Sequence, residues 1–211
     1  MSKEVETIYN IITLGDSGVG KTSILRRFIY DIYEDNSMST IGLSFSFKEI
    51  VLQNKKKVKI KIIDTGGQEK YRAVAKTYFK NTDGVLFVYA IDKQKSFDDI
   101  TEWIDLFNRE NNDKEGFPKI LVEAKNDLER VVDKEISENF AKERGLGWIS
   151  TSSKKNDKID DLFQQMAEEI YKEKTKNGNK KQKNIVLKKV EENNKKKGGC
   201  CLLQEIFNIE E

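Results

Sequence analysis

The chain contains no histidine, a single proline and only two cysteines among its 211 residues. Without histidine there is no imidazole for general-base catalysis, for a Ser-His triad or for a histidine-bound zinc site. Cys200 and Cys201 are adjacent, and neighbouring cysteines cannot cross-link a core. We therefore expect no disulfide framework, and the cysteine usage favours an intracellular protein.

Long apolar runs are also missing. No stretch approaches 18 consecutive apolar residues, which argues against a transmembrane helix. The first ten residues carry acids and lack the basic and apolar regions of a secretory signal. With 37% apolar and 35% charged residues, the length fits one globular domain of ordinary size followed by a tail.

Charge is distributed unevenly along the chain. The net charge is only +2, yet residues 172–197 contain eleven lysines and three glutamates. This composition buries too little apolar surface to offset the entropy of ordering, which predicts a disordered tail. We therefore expect a folded domain over 1–172, a Lys/Asn-rich tail over 173–199 and a short apolar segment over 200–211. The tail has no aromatic residue to stack on a base, so we expect no nucleic-acid partner, and a solvated linker is the simpler interpretation.

Strand-like and helical segments alternate through the first 172 residues. The strand-like segments are Thr7–Leu14, Ile41–Leu52, Lys57–Ile62, Val85–Ile91, Ile120–Val122 and Trp148–Thr151. Helical spacing occurs over Thr22–Asp31, Phe97–Phe107, Lys134–Arg144 and Ile159–Ile170. The continuous apolar run Val85–Ile91 is typical of a parallel strand that is covered on both faces. The alternation predicts an α/β domain with a mostly parallel sheet and helices on both faces.

A glycine-rich sequence lies where the first strand meets the first helix. Residues 15–22 read Gly-Asp-Ser-Gly-Val-Gly-Lys-Thr and match the phosphate-loop pattern G-x-x-x-x-G-K-[ST] in full. Gly18 and Gly20 let backbone N–H groups wrap closely around a phosphate, and the helix N-terminus adds partial positive charge. Lys21 is expected to reach the β- and γ-phosphates, and the Thr22 hydroxyl to bind Mg²⁺. The pattern indicates a phosphate site without identifying the base.

An aspartate follows the second strand of a predicted hairpin. Residues 64–69 read Asp-Thr-Gly-Gly-Gln-Glu. Alone, such a sequence is more often an ordinary turn, but one hairpin after a phosphate loop it is well placed to hold Mg²⁺ through Asp64. Gly67 is then expected to offer a backbone N–H to the γ-phosphate, and Gln68 to orient the attacking water.

Together these segments resemble a Ras-superfamily small GTPase of the Rab type. The family sequence D-T-A-G-Q-E corresponds to residues 64–69, with Gly66 in place of alanine, and Ser39-Thr40-Ile41-Gly42 matches the first switch. Shorter Rab-like stretches, at 41–45, 59–63 and 78–81, are divergent. The resemblance covers about residues 7–172 and implies a P-loop GTPase fold with a six-stranded, mostly parallel sheet that contains one antiparallel strand.

The resemblance also implies a set of ligand-binding residues. Thr40 supplies oxygens to Mg²⁺ and the γ-phosphate, so Thr22, Thr40 and Asp64 form the metal site. The residues that the resemblance places against the phosphates of GTP are Ser17, Gly18, Val19, Gly20, Lys21, Thr22, Ser23, Thr40 and Gly67.

Recognition of the base is assigned to residues farther along the chain. The family reads guanine with N-K-x-D, which appears here as Ala124-Lys125-Asn126-Asp127. Asp127 is expected to accept hydrogen bonds from the guanine N1–H and amino group, which adenine does not offer. Ala124 replaces an asparagine that in the family ties the base loop to the phosphate loop, so we expect faster nucleotide exchange. Ser152-Ser153-Lys154 matches the element that meets the guanine oxygen, and Tyr33 the aromatic that packs against the base.

The C-terminus differs from a standard prenylation signal. Rab-type proteins end in paired cysteines that receive lipid chains, but ten residues follow Cys200 and Cys201. Lipidation of this pair therefore stays open. Leu202, Leu203, Ile206, Phe207 and Ile209 fit a short amphipathic helix, and nearby lysines favour anionic lipid, so we expect a membrane surface as a partner.

The leading hypothesis is a monomeric Rab-like GTPase that slowly converts GTP to GDP and is peripheral on a cytoplasmic endomembrane face. The resemblance implies effectors, an exchange factor and a GTPase-activating protein that contact Ser37–Gly42 and Gly66–Phe79. An alternative is a GTP-binding interaction module with little hydrolytic activity, favoured by Ala124 and Gly66 but opposed by Gln68. A P-loop ATPase or small-molecule kinase lacks support, because no lid or second substrate site is visible.

Overall fold

The structure, a computed structural model, describes residues 7–35, 42–66, 72–111 and 116–196, without the side chains of 72–75 and 178–196. The strands in this part of the chain are β1 (Ile8–Leu14), β2 (Leu43–Val51), β3 (Lys57–Thr65), β4 (Gly84–Ala90), β5 (Lys119–Ala124) and β6 (Gly147–Ser150). The helices described there are α1 (Lys21–Tyr30), α2 (Arg72–Phe79), α3 (Gln94–Asp98), α4 (Ile100–Asn111), α5 (Lys134–Glu143) and α6 (Ile159–Lys196).

Within the described residues, the strands form one six-stranded sheet in the order β2-β3-β1-β4-β5-β6. Strands β2 and β3 pair antiparallel, as neighbours joined by a short turn can, and the other neighbouring strands pair parallel. The parallel strands β1, β3, β4, β5 and β6 therefore end at the same edge of the sheet, where ligands of open α/β sheets bind. The predicted fold class is confirmed.

Two apolar clusters cover the two faces of the sheet. Ile11 and Ile12 are neighbours on β1, and each is fully buried in a different cluster because side chains alternate along a strand. On one face, α1 and α6 meet where the rings of Phe28 and Phe163 stack 3.9 Å apart. The other face is covered by the helices between β3 and β6, with Trp103 of α4 among its largest buried side chains. The arrangement leaves the carboxyl edge of the sheet for the loops.

Within the first 172 residues, the helices differ from the sequence prediction in two main places. The predicted helix Phe97–Phe107 is divided into α3 and α4 at Asp99, whose backbone N–H still bonds to the Lys95 carbonyl at 2.9 Å. Helix α2 was not predicted, because its eight residues, RAVAKTYF, are fewer than the roughly 11 over which a helical period is recognised. Both differences lie outside the strands that position the phosphate loop.

The chain divides into two units, Met1–Glu173 and Lys174–Glu211. Helix α6 is assigned as far as Lys196, whereas the composition predicts a disordered tail from residue 173. Lysine, glutamate and glutamine are good helix formers, which is the local reason for helical backbone in a segment that lacks an apolar stripe. None of the helices described is both long enough and apolar enough to cross a bilayer.

Candidate nucleotide-binding site

The phosphate loop joins the end of β1 to the start of α1. A Cβ added at Gly15 would lie 2.1 Å from the Val88 carbonyl oxygen of β4, so only glycine fits at this position. Gly20, with φ of 110°, adopts the left-handed conformation that places it before the first turn of α1. These two glycines bring a loop and a helix N-terminus together at the carboxyl edge of the sheet, which is an arrangement suited to anions.

Lys21 is buried at the base of the loop, with 5% of its surface exposed. Its Nζ donates to the carbonyl oxygens of Gly15 at 2.8 Å and Asp16 at 2.7 Å. An ammonium carries three N–H donors, and these carbonyls take two of them. Burial lowers the pKa of Lys21 to about 8, because the charged form is poorly solvated there. A phosphate oxygen nearby would supply the negative charge that this site favours.

Two oxygen-bearing side chains meet beside Lys21. Thr22 donates from its hydroxyl to Oδ2 of Asp64 at 2.6 Å, and Thr13 donates to Oδ1 at 3.4 Å. Burial raises the pKa of Asp64, and the hydrogen bond from Thr22 and the charge of Lys21 oppose that shift. A hydroxyl and a carboxylate are the oxygen ligands that Mg²⁺ prefers, so the residues present fit this metal.

The second loop of the site follows β5 and carries Lys125 and Asp127. Lys125 donates from Nζ to the Gly18 carbonyl at 2.8 Å, which joins this loop to the phosphate loop. Ser152 donates from its hydroxyl to Oδ1 of Asp127 and in turn accepts from the backbone N–H of Lys155 at 3.0 Å. Ser152 is fully buried and therefore held in place, so its hydrogen bond positions the Asp127 carboxylate.

A cavity of about 360 Å³ connects the phosphate loop and the base loop. The sequence-predicted residues that line it are Ser17, Gly18, Gly20, Lys21, Thr22, Ser23, Tyr33, Lys125, Asp127, Ser153 and Lys154. One cavity thus has the Lys21 ammonium and the Thr22 hydroxyl in its wall at the phosphate loop and the Asp127 carboxylate in its wall at the base loop. Such a cavity accommodates a nucleotide with its phosphates and its base at opposite ends.

Comparison with known proteins agrees with this geometry. The sequence model of the Ras family matches residues 10–172.

The chain belongs to the Ras family.

Two curated relatives align with this Ras-family chain over most of their own length. It is 35% identical over 176 residues to a GTP-binding protein YPTM1 of Zea mays, across 82% of the chain and 83% of the relative. It is 38% identical over 167 residues to the Ras-related protein Rab-10 of Caenorhabditis elegans, across 78% of the chain and 82% of the relative. The resemblance to Rab-type GTPases is confirmed.

Ala124 lies where the two loops of this Ras-family site approach each other. Its side chain is buried, and its Cβ would be 3.7 Å from a Cβ added at Gly20. The methyl group carries no polar atom, so it makes no hydrogen bond across this gap. The effect of Ala124 on exchange stays a prediction.

The rim of the cavity includes a residue that the sequence did not single out. Asp35 accepts from the Tyr33 hydroxyl at 3.0 Å and from Lys154 Nζ at 3.2 Å. These hydrogen bonds hold the pKa of Asp35 below its usual value. Tyr33 and Lys154 were expected to meet a base independently, whereas Asp35 bridges them. No motif predicts this bridge, since Lys154 is 119 residues away from Asp35 in the sequence.

The phosphate loop also makes a contact on its outer side. Trp103 of α4 is buried, and its Nε1 donates to Oδ1 of Asp16 at 3.0 Å. Burial raises the pKa of Asp16, and the Trp103 hydrogen bond opposes that shift. The contact ties the loop to the helical layer, and nothing in the local sequence of either residue predicts it.

The other predicted site residues are either buried or outside the part of the chain that the structure describes. Val19 is fully buried in the apolar cluster under α1, so any contact that it makes with a ligand comes from its backbone. Thr40, Gly67 and Gln68, like Cys200 and Cys201, lie outside the described residues. Their roles stay predictions.

Proposed function

We propose that this chain is a Rab-like regulatory GTPase, which binds GTP, slowly hydrolyses it to GDP and thereby switches effector binding in vesicle trafficking. The observation that carries the proposal is a cavity lined by Lys21 and Thr22 at the phosphate loop and by Lys125 and Asp127 at the base loop. Asp64 lies behind Thr22, within hydrogen-bond distance of its hydroxyl. Family membership favours hydrolysis over the alternative of a binding module that scarcely hydrolyses GTP.

At the phosphate end, Lys21 binds the β- and γ-phosphate oxygens, and the N-terminus of α1 adds its partial positive charge. Thr22 and Asp64 would hold Mg²⁺, with Thr40 as a further ligand from the family resemblance. When bound, Mg²⁺ neutralises the charge that develops on the phosphates. The Asp64 carboxylate and the Thr22 hydroxyl already lie within hydrogen-bond distance, so little rearrangement is needed to present both oxygens to one cation.

At the base end, Asp127 accepts from the N1–H and the amino group of guanine. Lys125 extends along the cavity to Gly18, and its stem forms an apolar edge against the base. The backbone N–H groups of 152–154 meet the guanine oxygen, and the Tyr33 ring packs against the base. Adenine offers an acceptor at N1, which would leave Asp127 unpaired at a cost of about 1–3 kcal/mol.

Hydrolysis uses water that Gln68 orients, while Gly67 donates its backbone N–H to the γ-phosphate. Intrinsic turnover by this mechanism is slow, on the order of 10⁻⁴ per second, and an activating partner that supplies an arginine adds roughly 10³ to 10⁵. Loss of the γ-phosphate releases Ser37–Gly42 and Gly66–Phe79, which contact effectors, the exchange factor and the activating protein. Thr40, Gly67 and Gln68 enter this scheme by family resemblance.

The C-terminal residues bring the switch to a membrane. The lysines of 172–197 are attracted to anionic lipid, and a lipid chain on Cys200 or Cys201 would add apolar anchoring. Placement on the cytoplasmic face of an endomembrane follows from the Rab-type relationship. Mass spectrometry of the natural C-terminus tests the lipid; unmodified cysteines would remove that part of the proposal.

The base assignment is tested by Asp127→Asn, with Glu129→Gln as a matched control because Glu129 is exposed on the same loop. We expect calorimetry with Mg²⁺ to show GTP and GDP binding to the wild type and no comparable ATP binding. An asparagine amide donates to the 2-oxygen of xanthine, so D127N should shift preference from GDP to XDP by about a hundredfold. ATP binding as tight as GTP, or an unchanged preference in D127N, would refute the assignment.

A further inference from the structure

Glu123 is a fully buried carboxylate on β5, directly before the loop that carries Lys125 and Asp127. The residues before it, Ile120, Leu121 and Val122, are also fully buried. Burying a carboxylate in such surroundings costs free energy unless a cation faces it and its oxygens are hydrogen-bonded. Its neighbours therefore indicate what it does.

Three segments of the chain converge on the Glu123 carboxylate. Arg130 donates to both oxygens, at 2.8 Å to Oε2 and 2.6 Å to Oε1. Tyr89 of β4 donates to Oε2 at 2.8 Å, and Ser150 of β6 donates to Oε1 at 2.7 Å. Burial raises the pKa of Glu123, but the hydrogen bonds outweigh burial and the pKa lies below its ordinary value. Glu123 is thus an ionised group that joins β4, β5 and β6.

The Arg130 contact closes the base loop on itself. The loop leaves the sheet after Ala124, and Arg130 returns to Glu123 just before that exit. Arg130 also donates to the Val132 carbonyl at 3.0 Å, while the backbone N–H groups of Val131 and Val132 donate to the Ile91 carbonyl, each at 3.0 Å. The segment that presents Lys125 and Asp127 is therefore fixed to the sheet at both ends.

The Glu123 contacts lie on the sheet face opposite the one that Ala124 faces. Tyr89 and Leu121 belong to the cluster under the helices between β3 and β6, whereas Val122 and Ala124 belong to the cluster under α1 and α6. On the α1 side, Ala124 offers no polar atom to the phosphate loop. On the other side, the Glu123–Arg130 pair supplies bidentate, charge-assisted bonds, which are strong and directional.

We infer that Glu123 and Arg130 are positioning residues for guanine selectivity: they hold the 125–131 loop so that the Asp127 carboxylate faces the base. The inference rests on the proposed function, since it assigns these residues to the guanine site. Glu123 acts through Asp127 without touching the nucleotide.

The test compares GDP with IDP, which keeps the N1–H and the base oxygen but lacks the 2-amino group. The GDP/IDP affinity ratio therefore reports whether Asp127 still engages that amino group. In Glu123→Gln we expect release of radiolabelled GDP about tenfold faster and a GDP/IDP ratio reduced about fivefold. Arg130→Lys, which keeps the charge and loses the fork, should reduce the ratio by a smaller factor. Glu129→Gln, on the same loop and exposed, should match the wild type.

The outcomes separate the inference from the function on which it rests. A wild type that binds neither GDP nor GTP would overturn the proposed function itself. A wild type that binds guanine nucleotides, beside an E123Q protein with lower thermal stability but an unchanged GDP/IDP ratio, would overturn only the inference. Should E123Q fail to fold, R130K decides: a reduced ratio with unchanged single-turnover hydrolysis supports positioning, and an unchanged ratio refutes it.

Discussion

The phosphate end and the base end of the cavity are held in different ways. At the phosphate end, Lys21 bonds to carbonyls five and six residues away, and a contiguous motif supplies most of the contacts. At the base end, Glu123 bonds to Tyr89, Arg130 and Ser150, which lie 34, 7 and 27 residues away from it in the sequence. The phosphate loop thus matches its pattern in full with contacts that are local in sequence, whereas the base loop departs from its pattern at Ala124 and adjoins contacts between distant segments.

The largest effect is expected from Lys21→Met, which removes the buried ammonium and keeps a linear side chain. Without the ammonium, the bound phosphates would lack a buried partner charge, which costs about 3–5 kcal/mol. GTP affinity measured by calorimetry should therefore fall by roughly a thousandfold. Lys93→Met is the matched control, because the exposed Lys93 Nζ also lies near the loop, 3.7 Å from a Cβ added at Gly18. Equal losses in the two variants would show that general positive charge, and not the Lys21 site, binds the phosphates.

An intermediate effect is expected from acid on the Glu123 cluster. The pKa of Glu123 is lowered from 4.5, so its stabilising contribution is complete above that value and is lost as the pH falls through the lower, folded-state pKa. Glu123→Gln should reduce the free energy of unfolding by about 2 kcal/mol at pH 7. Urea unfolding at fixed nucleotide and Mg²⁺ concentrations should show the difference in unfolding free energy between the wild type and E123Q becoming smaller towards pH 3. A gap of the same size at both pH values would mean that the carboxylate charge is not what stabilises the cluster.

The smallest effect is expected from Ala124→Asn, which would give the base end a polar tie to the phosphate loop. The amide would project towards Gly20, and one added hydrogen bond contributes about 1 kcal/mol. We expect radiolabelled GDP to dissociate about fivefold more slowly, and the same substitution in the E123Q background to recover part of the lost retention. Ala124→Ser, whose hydroxyl is shorter, serves as the control. Unchanged or faster release from A124N would contradict the prediction.

Much of the fold was predictable because strand and helix periods are local. The run Val85–Ile91 corresponds to β4 within one residue, and the phosphate motif identified the junction of β1 and α1. The end of β3 was placed too early, at Ile62 instead of Thr65, because the alternation of lysine and apolar residues stops where the strand becomes buried on both faces.

The base end was only partly predictable. Lys125 and Asp127 follow a recognisable pattern, but the Glu123 cluster was missed because its members are separated by up to 34 residues in hydrogen-bonded pairs. One signal was present: a glutamate ends the otherwise apolar run Ile120–Val122, and a buried acid needs a cation. Which cation it meets is decided by the path of the loop, which no local pattern specifies.

The bond between Trp103 and Asp16 has a practical consequence. The chain has only two tryptophans, and one of them donates directly to the phosphate loop. The emission of an indole depends on its hydrogen bond and on nearby charge, so we expect Trp103 fluorescence to change with what occupies that loop. With Trp148 replaced by phenylalanine, the loading and unloading of the switch can be followed in real time on otherwise unlabelled protein.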